Sequence, residues 1–446
     1  MSEFSAKKFI AHKRDGGTHS PDELKLWLNE FLSERVPDYQ MAAWLMAVFF
    51  RGMAPEELST WTDLMTGSGA TLPRSEGAFS IDKHSTGGVG DKPSLLLLPI
   101  VQSVAVRLWG GGHVKIPMMS GRGLGHSGGT LDKLDSIPGF RSRVNRDEAL
   151  KLLRENDYVM MGQTDDLVPA DRRLYALRDV TGTVESLPLI VSSILSKKMA
   201  EGLDGLVLDV KFGPGAFMPT REKARELASK LVEVASLRNV KTVAWLTRMD
   251  EPLGFAVGNA LEVQECIEFL RGESREKGLY DVTVTLAATM LEIASKGKLT
   301  FAAAKSEVER ELTGEGPMSS FKTMVSAQGG SLEKFEASRR QAEAGYRTFE
   351  IKAPKSGWLS KTDARKIGEL GLALGAGRER SDAVIDEWAG FRFTKKVGDE
   401  VQAGETLCRI FYRREIGQAA LLEKVSSAFE VSAQPPPSLP WCPERL

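Results

Sequence analysis

Two glycine-dense segments, DKHSTGGVGDKPS from Asp82 and SGRGLGHSGGT from Ser120, bring a lysine, a histidine, an arginine and a series of hydroxyls into one short stretch of chain. Glycine lets a backbone approach an anion closely and turn its N–H groups toward it. Lys83 and Arg122 would add positive charge, and Ser85, Ser94, Ser120 and Thr130 would add hydroxyl donors. Phosphate is the anion this set suits best. The competing reading is a pair of surface loops whose glycines only make turns. His84, between Lys83 and Ser85, reads either as a donor or acid contacting a substrate or as a packed side chain. His126, inside the second glycine segment, would brace the loop or touch the ligand.

A second polar set lies downstream. Ser193 and Lys197 are four residues apart and share one face of a helix. With Arg178 they would suit a planar ring bearing amide groups. The alternatives are a solvated Lys197-Lys198 face and a surface ion pair between Arg178 and Asp179, and Ile190 and Ile194 give the same helix a packing role.

Other chemistries find little support. The five histidines have no zinc-site spacing, and Cys266, Cys408 and Cys442 are far apart. No metal, cofactor or disulfide framework is expected. STGGVGDK and HSGGTLDK fit neither the P-loop nor the dinucleotide fingerprint, and no GxSxG elbow is present. The 59 basic and 60 acidic residues nearly cancel, so nothing draws the whole protein to nucleic acid or an acidic membrane. The apolar runs AAWLMAVFF and LLLLPIV are too short to span a bilayer, and the N-terminus lacks a signal-peptide core. A cytoplasmic location is expected.

A chain of 446 residues needs more than one core. Ser20-Pro21-Asp22-Glu23 has the pattern of a capping box and starts a helix; others follow at 38–51 and from Pro55. TGSGATLPRSE at 66–76 reads as a hinge. Strands and helices then alternate: strand 78–81, helix 93–108, strand 113–118, helix 145–156, strand 157–161. Residues 165–200 carry helices at 171–177 and 183–200 with no strand between, so the chain returns to the helical domain there. Alternation resumes with strand 206–211, helix 221–237, strand 240–246 and helix 259–270. From about Thr348 come short β segments around a helix at 362–374, and SAQPPPSLP at 432–440 reads as a loose tail.

The expected fold is α/β: a small all-α domain beside a large α/β domain with a mostly parallel sheet, plus a C-terminal β-rich subdomain. The expected division is 1–65 and 165–202 for the helical domain, 78–162 and 206–340 for the α/β domain, and 345–446 for the C-terminal α+β part. Ligands of such sheets bind beyond the carboxyl ends of the strands, where Lys83–Asp91, Ser120–Thr130 and Asp209–Lys211 fall.

These motifs resemble the pyrimidine-nucleoside phosphorylases, in particular the thymidine phosphorylase branch. SGRGLGHSGGTLDKLDSIPG, DKHSTGGVGD, GQT, PADRRLYALRD, SILSKKMAEGLDGLVLDVK, GAFM and GNALEV occur in the family's order over nearly the whole chain. The resemblance implies phosphate held by Lys83, Ser85, Ser94, Ser120 and Thr130, and the base held by His84, Arg178, Ser193 and Lys197. It implies reversible phosphorolysis of thymidine to thymine and 2-deoxyribose 1-phosphate, or a broader range including uridine. It also implies a homodimer contacting through the helical domain, and a cleft that closes by bending near 66–77, 160–166 and 200–205. The chain departs from the pattern at QSVAVRLWGGGH, which is longer than usual, and at FGPG. GGVGDK and a start directly in the helical domain argue against a nucleotide 5'-phosphate substrate. The alternatives weighed are a phosphoribosyltransferase of the same architecture, with Asp209 in a magnesium-diphosphate site, and a non-catalytic nucleoside-binding protein.

Overall fold

A computed structural model describes residues 4–123, 128–164, 166–377, 384–414 and 424–446. The chain opens with four helices, α1 (Ala6–Arg14), α2 (Pro21–Leu32), α3 (Asp38–Arg51) and α4 (Pro55–Thr66). The capping box at α2 forms as its sequence requires: Ser20 accepts from the Glu23 N–H, and the Glu23 carboxylate accepts from the Ser20 N–H at 2.8 Å. Helix α1 is not among the expected elements, because its sequence is mostly polar. It is anchored by Phe9 and by a buried Lys13–Glu57 pair at 2.7 Å. Trp27, Trp44 and Trp61 fill the centre of this bundle.

The alternating section follows as β1 (Phe79–Ser85), α5 (Pro93–Trp109), β2 (Val114–Met119), α6 (Thr130–Asp135), α7 (Arg146–Asn156) and β3 (Tyr158–Met161). Helices α8 (Pro169–Thr181) and α9 (Leu187–Ala200) then return to the first bundle, where Ala170, Leu174 and Leu189 join its tryptophan core. Next come β4 (Gly205–Phe212), α10 (Arg221–Ser236), β5 (Lys241–Arg248), β6 (Ala256–Val257) and α11 (Asn259–Leu270). Four more helices, α12 (Lys277–Ala294), α13 (Phe301–Glu311), α14 (Gly316–Ala327) and α15 (Leu332–Gly345), occupy the stretch expected only as the later part of the α/β domain. The C-terminal part holds β7 (Arg347–Lys352), β8 (Gly357–Thr362), α16 (Ala364–Leu374), β9 (Gly390–Phe393), β10 (Glu400–Val401), β11 (Thr406–Tyr412), β12 (Phe429–Ser432) and β13 (Glu444–Arg445).

The main sheet has the order β13-β5-β4-β1-β2-β3, parallel except for β13. Strand β13 corrects the expected loose tail. The chain end pairs antiparallel with β5, Leu446 exchanging two backbone hydrogen bonds with Ala244, while Trp441 is buried. The proline run only spans the distance from β12 back to the sheet. Smaller sheets, β6-β9-β11-β7 and β10-β8-β12, make up the β-rich part.

Both faces of the main sheet are covered, and side-chain alternation sorts its residues. Val207 of β4 and Ile81 of β1 pack into the core around α5 and α12. Leu206, Leu208 and Val210 pack the opposite way, against α10 and α9. Parallel register sets Lys83 beside Val207 and His84 beside Leu208. Successive residues of β1 therefore serve opposite faces.

The three chain crossings expected to act as hinges lie side by side. Ala70 N–H donates to Asp166 O at 2.6 Å, and Leu72 N–H donates to Ala200 O at 2.8 Å. They form one bonded bundle of extended chain.

Candidate active site

Strand β1 ends in Asp82, Lys83, His84 and Ser85, and its alternation organises the site. Lys83 points toward α5, where its Nζ donates to Ser94 Oγ at 3.3 Å and lies 3.6 Å from Asp209 Oδ2. Ser94 is there because Pro93 starts α5 and places it in the first turn. Ser85 donates to Asp91 Oδ2 at 2.5 Å and accepts the Gly87 N–H at 3.1 Å, which closes the first glycine turn. Ser120 follows β2 directly, and Thr130 is the first residue of α6. Since β1 and β2 are neighbouring parallel strands, Ser85 and Ser120 leave the sheet at the same edge.

The lysines beneath this edge are neutralised in place. Lys211 Nζ donates to Asp209 Oδ2 at 2.8 Å and lies 3.6 Å from Asp91, and Thr247 donates to the other Asp209 oxygen. Burial opposes ionisation of Asp91, but Lys211, Lys83, the Ser85 hydroxyl and Lys133 hold its carboxyl well below the usual range. Asp209 is thus engaged with Lys83, Lys211 and Thr247. Among the described residues no group of three or more metal-ligating side chains occurs. Arg122 pairs with Asp132 at 2.9 Å and Asp135 at 2.8 Å. His126 lies outside the described residues.

Lys92 is a further buried cation that the sequence did not single out. Its Nζ donates to the carbonyls of Leu253 (2.6 Å) and Ala256 (3.0 Å) and meets Glu265 at 2.9 Å. It ties the first glycine turn to the 253–256 loop. Gly90, at φ +73°, lies against the Leu253 backbone and leaves no room for a side chain.

The second polar set is assembled by α8 and α9. Lys197 Nζ donates to Ser193 Oγ at 2.9 Å and to Asp171 Oδ2 at 2.6 Å, so the expected helix face is real and buried. Gln163 donates to the same Asp171 oxygen, and the Tyr175 ring lies 5.7 Å from the lysine. Burial lowers the Lys197 pKa, Asp171 opposes that fall, and Lys198 and Arg178 add to it. The solvated-face alternative for Lys197 is therefore wrong.

Arg178 is equally buried and makes no surface pair with Asp179. Its Nε, Nη1 and Nη2 donate to the carbonyls of Thr183 (3.3 Å), Leu189 (2.9 Å) and Val184 (2.6 Å). Burial brings its pKa down to about 10, which leaves it cationic at neutral pH. Three of its five N–H groups brace the α8–α9 turn.

His84 faces the α9 side, partly exposed. Burial, then the charges of Lys198, Lys197 and Lys83, push its pKa well below 6.5, so the ring is neutral at physiological pH. A neutral imidazole can donate one hydrogen bond and carries no charge to repel the cations around it.

Asp171, Gln163, Asp82, Lys198, Glu201 and Lys92 are the polar residues that sequence reasoning missed here. Asp171 and Gln163 sit in the quoted PADRRLYALRD and GQT segments, and Asp82, Lys198 and Glu201 likewise fall inside quoted motifs. Their motif membership was the available signal.

Comparison with known proteins agrees with the order of the helical, α/β and C-terminal parts. Residues 7–69 match the helical bundle domain of a glycosyl transferase family, residues 78–314 match its a/b domain, and residues 358–432 match a pyrimidine nucleoside phosphorylase C-terminal domain. The chain is 42% identical to a pyrimidine-nucleoside phosphorylase of Geobacillus stearothermophilus, covering 91% of this chain and 92% of that one. It is 41% identical to the protein of that name from Bacillus subtilis (strain 168), over 91% and 92%. For that of Staphylococcus haemolyticus (strain JCSC1435) the identity is 41%, over 95% and 96%. Among solved structures, anthranilate phosphoribosyltransferase from Thermus thermophilus superposes with a TM-score of 0.56 at 15% identity, over 72% of this chain and 98% of that one. That likeness is one of fold.

Proposed function

The chain belongs to the pyrimidine-nucleoside phosphorylase family, and from that premise we propose that it catalyses reversible phosphorolysis of pyrimidine nucleosides, uridine as well as thymidine. The observation that carries the reading is the alternation along β1, which turns Lys83 toward Ser94 at the start of α5 and His84 toward Lys197 and Lys198 of α9. One strand thereby holds an anion set and a ring-binding set on opposite sides. The names of the relatives favour the broad substrate range over thymidine alone.

In the proposed reaction a phosphate oxygen forms a bond to C1' as the C1'–N1 bond breaks, and the electron pair leaves with the base. Lys83, Ser85, Ser94, Ser120, Thr130 and the glycine-turn N–H groups hold phosphate on the face opposite the leaving base. Holding both reactants removes much of the entropic cost of their encounter. Lys197 and Arg178 oppose negative charge growing on the ring oxygens, where such donors matter most. Neutral His84 donates a hydrogen bond. No covalent enzyme intermediate is required, and a single displacement inverts C1'.

The deciding assay follows base release with and without phosphate. Release should require phosphate; equal release in its absence would make the protein a hydrolase. On one preparation, kcat/KM for uridine is expected within about tenfold of that for thymidine, roughly 1.4 kcal/mol. Rejection of uridine would restrict the enzyme to deoxynucleosides.

His84 supplies a pH prediction. A depressed pKa means the imidazolium appears only as pH falls well below 6.5. The kcat/KM profiles of the wild type and His84→Asn should therefore have the same shape between pH 6.5 and 8. An inflection near 6.5 present only in the wild type would show that the charged ring takes part.

The helical domain is proposed as the dimer contact. Tyr39 and Phe50 of α3 are 74% and 75% exposed and lie three turns apart on one side of the helix, with Leu26 of α2 also exposed. Sedimentation velocity should give a dimer for the wild type and a monomer for Phe50→Glu. Closure of the cleft by bending at the three crossings would exclude water from the reacting centre.

A further inference from the structure

A buried ionic cluster lies between the two halves of the site without belonging to either. Lys198 Nζ donates to Asp82 Oδ2, to Glu201 Oε1 at 2.7 Å and to the Met119 carbonyl at 2.7 Å. Glu201 Oε1 also accepts the Met119 N–H at 3.1 Å. All three charged side chains are completely excluded from solvent. Asp82 adjoins Lys83, Met119 adjoins Ser120, and Lys198 adjoins Lys197. One ammonium thus joins the strand and loop of the anion set to the helix of the ring-binding set.

The charges in this space do not balance if every group is ionised, since two carboxylates face one lysine. Among the described residues, Asp82 Oδ1 and Glu201 Oε2 have no hydrogen-bond partner. The two carboxyls are close enough to hydrogen-bond, and a single proton shared by the pair would leave Lys198 matched by one negative charge. Burial and then Asp82 drive the Glu201 pKa well up, while Lys198 opposes them. β2 contributes only the Met119 backbone. Lys198 is also the charge that most disfavours a proton on His84, so the cluster bears on the ring facing the base.

We propose that Lys198, Asp82 and a protonated Glu201 form a proton-sharing pivot that fixes the base-holding helix against the phosphate-holding strand. The proposal rests on the phosphorolysis reading for its kinetic consequence but not for its proton. These are positioning residues: each half-site keeps its own ligand contacts without them and loses its placement relative to the other. Loss should therefore fall on kcat more than on either KM.

Two measurements on the full-length protein test it. In the first, Glu201→Gln and Asp82→Asn each leave Lys198 one carboxylate and should keep kcat within about tenfold of wild type at pH 7, whereas Asp82→Asn/Glu201→Gln leaves it none and should lower kcat at least about 30-fold, by analogy with loss of a placed charge. Both KM values should change little. If that double variant does not fold, Asp82→Asn/Glu201→Gln/Lys198→Met, which removes all three charges, replaces it with the same expectation. Either single variant as impaired as the double variant, or a double-variant defect confined to KM, overturns the proposal.

The second measurement needs no substrate. A carboxyl whose folded pKa exceeds its unfolded value near 4.5 loses stability as pH rises between the two, because the folded state alone binds the proton there. The Tm of Glu201→Gln minus that of wild type should therefore grow more positive from pH 5 to pH 8. A difference that stays flat or falls means that Glu201 is ionised and overturns the shared proton. Inactive wild-type protein with the expected Tm trend would instead sink the phosphorolysis reading and leave the proton in place.

Discussion

Replacing Lys83 by methionine is expected to lower kcat/KM for phosphate by about 10²–10³-fold, the scale of losing one placed electrostatic donor. The nucleoside KM should move by less than about threefold on the same reasoning, since β1 turns residue 83 away from the ring-binding face. The fold should survive, because Asp209 keeps Lys211 at 2.8 Å and the Thr247 hydroxyl when Lys83 is removed. Arginine is not expected to rescue. The Lys83 side chain is fully buried against Ser94 and Asp209, and a planar guanidinium is not a substitute for a compact ammonium in a packed slot. Separate phosphate and nucleoside titrations of the folded variant check this, and a defect in nucleoside KM alone would remove Lys83 from the anion set.

Much of this arrangement was legible in the sequence, for reasons that differ by element. Apolar strands such as LVLDV and the proline- and glycine-marked ends of α2 and α5 announce themselves through local chemistry, so the α/β alternation and the helical excursion at 165–200 could be read. The spacing of Ser193 and Lys197 gave their contact correctly because a helix fixes it locally. Arg178 was less legible. Nothing near it in sequence says that it turns inward to bond the Thr183, Val184 and Leu189 carbonyls, because that depends on how the α8–α9 turn folds back. Lys198 was hidden for a similar reason. Its partners Asp82 and Met119 are distant in sequence, and a Lys-Lys pair looks the same whether solvated or buried. The end of the chain misled because a proline run has the composition of a free tail, whereas a short stretch of pairing and a buried Trp441 attach it to the sheet. The α12–α15 region was legible in the same way as α2 and α5, since SKGKLT, TGEGP and QGGS mark its breaks and Thr300 and Ser331 cap α13 and α15.

Lys197 should fail differently from Lys83. Lys197→Met is expected to lower kcat/KM for the nucleoside by about 10²–10³-fold, again the scale of one placed donor, while phosphate affinity measured by calorimetry stays near wild type. That substitution leaves Asp171 buried with Gln163 as its remaining side-chain partner, so lost stability could mimic lost chemistry. Asp171→Asn separates the two. It keeps the lysine and the shape of the site but removes the carboxylate that opposes the burial-driven fall in the Lys197 pKa. With that support gone the pKa falls further, and the protonated form is lost at lower pH. The alkaline limb of kcat/KM for the nucleoside should therefore move to lower pH in Asp171→Asn, with activity recovered as pH is reduced. A limb that stays in place, with activity equally reduced at every pH, would mean that Asp171 orients Lys197 without setting its charge. An unchanged kcat/KM in Lys197→Met would put the lysine outside the reaction altogether.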